Sequence, residues 1–185
     1  MDMADATGEG YPLVLQSGAD PSTLGGVAVC GLTTVGSVGV IAASHLIASL
    51  GLKPMGTVIH PEFPAVALIQ ESVPKHPVRV YQGEEMGVFI SEIQFPQASD
   101  FQFGNTVLEW FQKGGFDRLV IIDGLVSEDL GLKEDGDIWG VASLQSGRDA
   151  LDTVGIQRIQ QGIVTGVSGF LLAEGERQGL SLIHI

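Results

Sequence analysis

Residues 26–51 read GVAVCGLTTVGSVGVIAASHLIASLG, and their pattern of apolar residues and glycines is the clearest indication of the fold. Val27–Leu32 is a continuous apolar run, which is typical of a strand buried on both faces. A turn sequence, Thr33–Gly36, follows it. Ser37–Leu50 then has a helical pattern, and Gly51 is placed to end that helix in a left-handed conformation. The stretch predicts a strand-turn-helix unit at the start of an α/β domain.

The predicted helix at 37–50 is apolar nearly all round, and His45 is its one clearly polar side chain. A helix of this kind must be covered by a sheet on one side and by other protein on another. We therefore expect a central helix. We also expect His45 to be a hydrogen-bonded core residue and not a metal ligand.

Strand and helix patterns alternate along the remaining sequence. The predicted strands are 11–15, 55–60, 65–70, 78–82, 86–93, 118–123, 138–144 and 180–185, with 78–82 and 86–93 forming a hairpin around 83–85. The predicted helices are 100–113 and 166–179, with at most a short helical turn at 149–154. This alternation predicts a three-layer α/β/α fold around a mostly parallel or mixed central sheet.

The length of 185 residues suits one domain. We expect a loose N-terminal arm at 1–25 and a single α/β domain at 26–185. Because the sequence closes inside the strand-like run Leu180–Ile185, we expect the natural protein to continue beyond it.

The charge balance excludes several classes of partner. Nine basic residues stand against 22 acidic ones, giving a formal net charge of -13. Such a chain repels nucleic acid and anionic lipid surfaces, so neither is an expected partner. Cys30, the only cysteine, lies in an apolar run and predicts a buried thiol in a reducing compartment. The acidic N-terminus has no signal-peptide pattern, so a cytoplasmic location is predicted.

The glycine-rich loop Gly31–Gly39 is one candidate ligand site. It joins a strand to a helix, where backbone amides can hold an anion, so Gly36, Ser37 and Gly39 are candidate contacts for a nucleoside-like or phosphate-like ligand. The loop has neither the lysine of a Walker motif nor the spacing of a dinucleotide-binding turn. Tight turning and close helix packing are therefore the favoured interpretation.

Asp123 is the best single carboxylate for a ligand site, because it ends a buried strand. The alternative is that it caps a turn. Ser168 lies in GVSGF, which resembles a nucleophile elbow except that Phe170 replaces the last glycine. We expect the Ser168 hydroxyl to satisfy free amides at a helix start. No catalytic set is predicted from Asp123, Ser168 and His60.

Metal and cofactor sites are not predicted either. The four histidines are scattered, and the acidic stretch 128–137 does not have the spacing of a calcium loop, so it is predicted to be a solvated loop. Phe63 and Phe95 lie beside prolines in predicted loops, where large apolar side chains suit a protein interface. Core packing is the alternative for both.

Four segments taken together resemble the archaeal branch of the proteasome assembly chaperone family. They are GLTTVGSVGVIAASHLIASL at 31–50, PEFP at 61–64, LEW at 108–110 and IVTGVSGFLLAEGE at 163–176. Their order and spacing match, and the resemblance covers nearly all of residues 24–185.

The resemblance implies a fold similar to that of purine nucleoside phosphorylases, without a recognised catalytic set. It also implies a homo-oligomeric scaffold without cofactors that binds proteasome α-subunits or another protein. Some members dock through a C-terminal hydrophobic-tyrosine-any tail, whereas this chain closes with Ile183-His184-Ile185. A small-molecule binding protein or enzyme that uses the glycine loop and Asp123 is the alternative function.

Overall fold

A nine-stranded mixed sheet forms the centre of the protein. The structure is a computed structural model that describes residues 9–16, 19, 25–124 and 138–185. The strands of this part are β1 Leu13–Leu15, β2 Val27–Leu32, β3 Lys53–Val58, β4 Leu68–Gln70, β5 Val73–Lys75, β6 Val78–Gln82, β7 Met86–Ser91, β8 Arg118–Ile122, β9 Trp139–Ala142, β10 Gln157–Arg158 and β11 Leu182–His184. The predicted acidic loop at 128–137 lies outside the described residues.

The order of strands in the sheet is β1-β3-β6-β7-β2-β8-β11-β9-β10. The four central strands β7, β2, β8 and β11 run parallel, while β6 pairs antiparallel with β7 and β9 antiparallel with β11. The predicted mixed sheet and the hairpin at 78–93 are thereby confirmed. Because β11 lies between β8 and β9, the end of the chain enters the middle of the sheet.

The helices of the described residues are α1 Val38–Ser49, α2 Asp100–Lys113, α3 Gln145–Thr153 and α4 Gly166–Gln178. They cover both faces of the sheet. Along β2, Ala28 and Cys30 pack into the cluster that contains residues of α2 and α4, whereas Val29 packs with residues of α1. Leu151 of α3 packs on Ala142 and Ile183. The predicted three-layer α/β/α architecture is confirmed.

Several short elements differ from their predictions, and strand β5 was not predicted at all. Residues 65–70 were predicted as one strand, but only Leu68–Gln70 is extended, and it pairs with β5 in a separate two-stranded sheet. The predicted turn at 149–154 is a nine-residue helix that begins at Gln145. Strand β10 is only two residues long, too short for a hydrophobic pattern to identify it.

The outer side of α1 differs from the expectation. His45 is exposed, and its Nε2 lies 3.3 Å from Ser49 Oγ on the same helix, so the prediction of a core histidine is wrong. Only Gly39 and Ala43 of α1 are buried, whereas Ile41 is 64% exposed. One chain therefore covers only the inner side of this apolar helix.

Cys30 is fully buried, as its position in an apolar run predicted. Burial, with a smaller contribution from the negative charge of Asp123, raises the pKa of the Cys30 thiol. Because the thiolate is the reactive form, Cys30 is inert in the folded chain. In the described residues, no helix is both long and apolar enough to cross a membrane.

Candidate functional site

A cavity of about 230 Å³ opens at the carboxyl edge of the parallel strands. Strands β2, β7 and β8 end there at Leu32, Ser91 and Ile122. Asp123, the residue after β8, lines the cavity together with the start of α4. This edge is where open α/β sheets commonly bind ligands, because the loops of several strands converge on it.

Asp123 is the polar centre of this site, and its side chain is 7% exposed. Its Oδ2 accepts a hydrogen bond of 2.6 Å from the Ser168 hydroxyl and lies 3.4 Å from His184 Nε2. Its Oδ1 accepts a 2.8 Å bond from the backbone N–H of Gly124. The aspartate thus makes the capping contact expected of a turn and also joins α4 to β11.

The hydrogen bonds decide the ionisation of Asp123. Burial on its own raises the pKa of the carboxyl, but hydrogen bonds from His184, Ser168 and Thr34 outweigh burial and hold the pKa below its usual range. Asp123 is therefore a carboxylate near neutral pH. It is also a weak base, because its charged form is the stabilised one.

The serine, aspartate and histidine are not arranged for acyl transfer. In a catalytic triad the imidazole lies between serine and carboxylate, and it removes the serine proton. Here the Ser168 hydroxyl donates directly to Asp123, and His184 lies beside the same carboxylate oxygen. The Ser168 hydroxyl was predicted to satisfy free backbone amides at the start of the helix, but it binds Asp123 instead. It is held by a weak base, which does not activate it as a nucleophile.

Leu32, Thr33 and Thr34 of the glycine loop line the cavity beside Asp123, whereas the predicted contacts Gly36, Ser37 and Gly39 do not. Gly39 is buried against β8, and a Cβ atom at this position would overlap the backbone oxygen of Ile122. Gly39 therefore serves the close helix packing that was the favoured interpretation of this loop. Gly36 and Ser37 form a 3₁₀ turn before α1, and both have a positive φ, 67° and 53°.

Replacing Gly36 by valine is expected to lower the free energy of unfolding by about 1–3 kcal/mol, because a β-branched residue is strained at a φ of 67°. Space is not the cause, since the nearest atom to a Cβ there is Val38 Cγ2 at 3.6 Å. Urea denaturation measures the loss. Gly36→Asn is the control and should lose less, since asparagine tolerates this conformation. Equal stability of Gly36→Val and the unsubstituted chain would contradict this account.

Phe63 and Phe95 lie at the mouth of the same region. Their ring centroids are 4.9 Å apart, and the Phe95 ring also contacts that of Phe103, which is fully buried, with centroids 4.1 Å apart and a tilt of 31°. Both rings are half-buried and pack against the core cluster. Phe95 lines the cavity with Asp123. The fold thus brings together a predicted interface residue and the predicted carboxylate.

The sequence analysis did not identify two residues of this site, Asp100 and His184. Asp100 begins α2 and lines the cavity, and His184 ends β11. A carboxylate at a helix start is common, so its sequence position carries no functional signal. In the described residues, no group of three or more histidine, cysteine, aspartate or glutamate side chains is placed to hold a metal ion.

Several solved structures are similar to this chain. One is Pyrococcus furiosus PbaA, an archaeal homolog of proteasome-assembly chaperone, with 26% identity and a TM-score of 0.80, covering 94% of this chain and 71% of its own. Another is Pyrococcus furiosus PbaB, an archaeal proteasome activator, with 19% identity and a TM-score of 0.74 over 96% of this chain and 79% of its own. No curated protein matches.

Bacteria also contain this fold. A PAC2 family protein from Streptomyces avermitilis has 16% identity and a TM-score of 0.61, covering 85% of this chain and 73% of its own. The family model described as PAC2 matches residues 28–185, which include every helix and all main-sheet strands except β1 and the first residue of β2. The chain therefore belongs to the PAC2 family, the family of the proteasome assembly chaperone homologues.

Proposed function

We propose that this chain is a non-catalytic, homo-oligomeric scaffold of the cytoplasm that binds proteasome α-subunits. The likeness to PbaA over 94% of the chain carries this proposal. The bond from Ser168 to Asp123 supports the non-catalytic part, because the hydroxyl donates to a weakly basic carboxylate and not to an imidazole. Co-purification of purified α-subunits with the tagged chain tests the binding of proteasome subunits.

The outer side of α1 supports self-association. Val35, Val38 and Ile41 are 55%, 46% and 64% exposed, and they form an apolar patch on and just before this helix. Burying apolar surface is worth roughly 25 cal/mol per Å², so a second copy on this patch would stabilise the helix. We assign this outer side of α1 as the contact between copies.

A groove of about 690 Å³ lies between α1 and the β4–β5 hairpin. Ile47 and Ala48 of α1 face Val73 and Pro74 of the hairpin across it. The hairpin also exposes Ile69 at 68% and Val73 at 52%. An isolated two-stranded hairpin is marginally stable in water, so contact with a second copy would hold it in place.

Replacing Ile41 by glutamate is expected to turn an oligomer into a monomer. A charge placed in an apolar contact loses its hydration without gaining a partner, while Ile41 is exposed enough for a single chain to fold unchanged. Size-exclusion chromatography with light scattering gives the mass. Ile163→Glu is the matched control, since Ile163 is 76% exposed and lies outside α1. A monomeric unsubstituted chain, or an oligomeric Ile41→Glu variant, would contradict the proposed contact.

The alternative of a phosphate-like ligand finds little support at this site. The cavity is lined by the carboxylates of Asp100 and Asp123, and no lysine, arginine or histidine of the described residues lines it. Two negative charges repel a phosphate at close range. We therefore propose no enzymatic function.

A further inference from the structure

The cavity beside Asp123 is lined by residues of two chemical kinds. Ile93, Phe95 and Phe103 make part of its wall apolar and aromatic. Asp100, Asp123 and several hydroxyl-bearing residues make another part polar. A water needs only about 10–15 Å³ of such space, so a cavity of about 230 Å³ has room for several waters or for one extended side chain.

Among the described residues that line this cavity, no lysine or arginine lies beside its two carboxylates. The side chain of Asp100 makes no hydrogen bond or ion pair with any described residue, although it is only partly exposed. Burial raises the pKa of its carboxyl, which means that the folded chain holds this charge at a cost in stability. Asp123 is nine-tenths buried, and its ion pair with His184 exists only while His184 is protonated. A monovalent cation in the cavity would offset one of these two negative charges.

The entrance is aromatic and partly open. Phe95 lies in the cavity wall and is half-buried, and Phe63 contacts it from outside. Aromatic faces attract ammonium and guanidinium groups, and they pack well against alkyl chains. Large half-buried aromatics beside a pocket are also the kind of residue that dominates protein interfaces.

We propose that this cavity receives the side chain of one lysine or arginine from a protein partner, with its alkyl part on Phe95 and Phe103 and its charge at Asp100 and Asp123. The cavity volume, its apolar wall and its two carboxylates all fit this occupant. A net charge of -13 favours a basic partner surface as well. The inference rests on the proposed protein-binding role, because it names the chemistry by which a partner is held.

The test uses Nα-acetylated lysine amide and arginine amide as probes, with Nα-acetylated norleucine amide as the isostere of lysine that carries no charge. Acetylation removes the α-ammonium charge from all three probes. Amide chemical shifts of the full chain are followed by NMR during titration. Both cationic probes should shift the signals of cavity residues such as Gly166 and Ser168, and norleucine amide should bind about tenfold or more weakly. Equal shifts with all three probes, or none near the cavity, would overturn the proposal.

Asp100→Asn is the first variant, because it keeps the size of the side chain and breaks no hydrogen bond or ion pair with a described residue. It should weaken binding of both cationic probes about tenfold, which corresponds to about 1.4 kcal/mol. Glu176→Gln removes the same charge from an exposed position on α4 and should leave the binding unchanged. Equal weakening by both variants would mean a general charge effect and would overturn the site.

A second arm connects the cavity to the partner. Asp100→Asn and Phe95→Ala should reduce capture of proteasome α-subunits, while Glu176→Gln should not. If the probes bind but Asp100→Asn captures subunits normally, the cavity is a small-amine site and the partner assignment is wrong. If the unsubstituted chain captures no subunits, the proposed function fails, and the probe titration still decides whether the cavity binds a cation.

Discussion

Replacing Glu92 by alanine is expected to lower the free energy of unfolding by about 3–5 kcal/mol, because it leaves the buried cation Arg79 without its carboxylate. The two side chains are 16% and 8% exposed, and they form a direct ion pair. Arg79 also donates to the backbone oxygen of His76 and to the hydroxyl of Tyr81. These bonds hold the guanidinium inside when the carboxylate is removed. Chemical denaturation measures the loss.

An exposed ion pair provides the control for Glu92→Ala. Asp152 and Arg158 lie 3.1 Å apart with side chains that are 53% and 38% exposed. Asp152→Ala should cost less than about 1 kcal/mol, because water solvates the remaining arginine. Replacing Arg79 and Glu92 together by leucine should cost less than Glu92→Ala alone. If Glu92→Ala lowered the free energy of unfolding by less than about 1 kcal/mol, the ion pair between Arg79 and Glu92 would not have the stabilising role described here.

Replacing Asp123 by alanine is expected to cost about 2–4 kcal/mol of unfolding free energy. The substitution removes the acceptor of the Ser168 hydroxyl and the neighbour of His184, which are 2% and 0% exposed. A buried donor left without a partner costs about 1–3 kcal/mol. Asp123→Asn keeps an acceptor for Ser168, so it should lose less. Loss of only a few tenths of a kcal/mol in Asp123→Ala would show that the network does not hold β8, α4 and β11 together.

The same carboxylate predicts a pH dependence. The pKa of Asp123 is lower in the folded chain than in the unfolded chain, so its ionised form stabilises the fold above the unfolded pKa of about 3.9. This contribution is lost as the pH falls below that value and through the lowered pKa. The stability difference between the unsubstituted chain and Asp123→Asn should therefore be largest above about pH 5 and shrink in acid. A constant difference from pH 7 to pH 2 would contradict the lowered pKa.

Local patterns were sufficient for the central part of the fold. The apolar run Val27–Leu32 and the glycines around the next helix predicted β2 and α1, and Gly51 does follow α1 with a φ of 61°. Helical spacing of apolar residues predicted α2 from Asp100 to Lys113 with both bounds correct. In each case the element is marked by a continuous local pattern of residues, so it can be identified without knowledge of the tertiary contacts.

Elements whose identity depends on distant contacts were not predicted. The first turn of α3 is polar and contains Gly147, and its packing on Ala142 and Ile183 is what supports it. His45 was placed in the core because its helix is apolar, yet only the inner side of that helix faces the sheet. The composition of a helix does not show which of its sides the rest of the chain leaves exposed to solvent.

The contacts of the candidate site also depend on residues that are far apart in the sequence. Asp123 was identified from its place after a buried strand, but its partners come from 45 and 61 residues further along the chain. His184 reaches it only because β11 pairs with β8 in the middle of the sheet. Sequence spacing does not reveal the pairing of such distant strands, so the contact between Asp123 and Ser168 was not predicted either.

Whether this PAC2 chain is a scaffold for proteasome subunits is decided by its binding to purified proteasome α-subunits from the same source. The tagged full chain is mixed with these subunits, and the mass of the complex is measured by light scattering, with the Ile163→Glu variant as a control for surface changes. We expect a defined complex that contains both this chain and α-subunits. Separate elution of this chain and the subunits, at concentrations up to tens of micromolar, would rule out the proposed scaffold role.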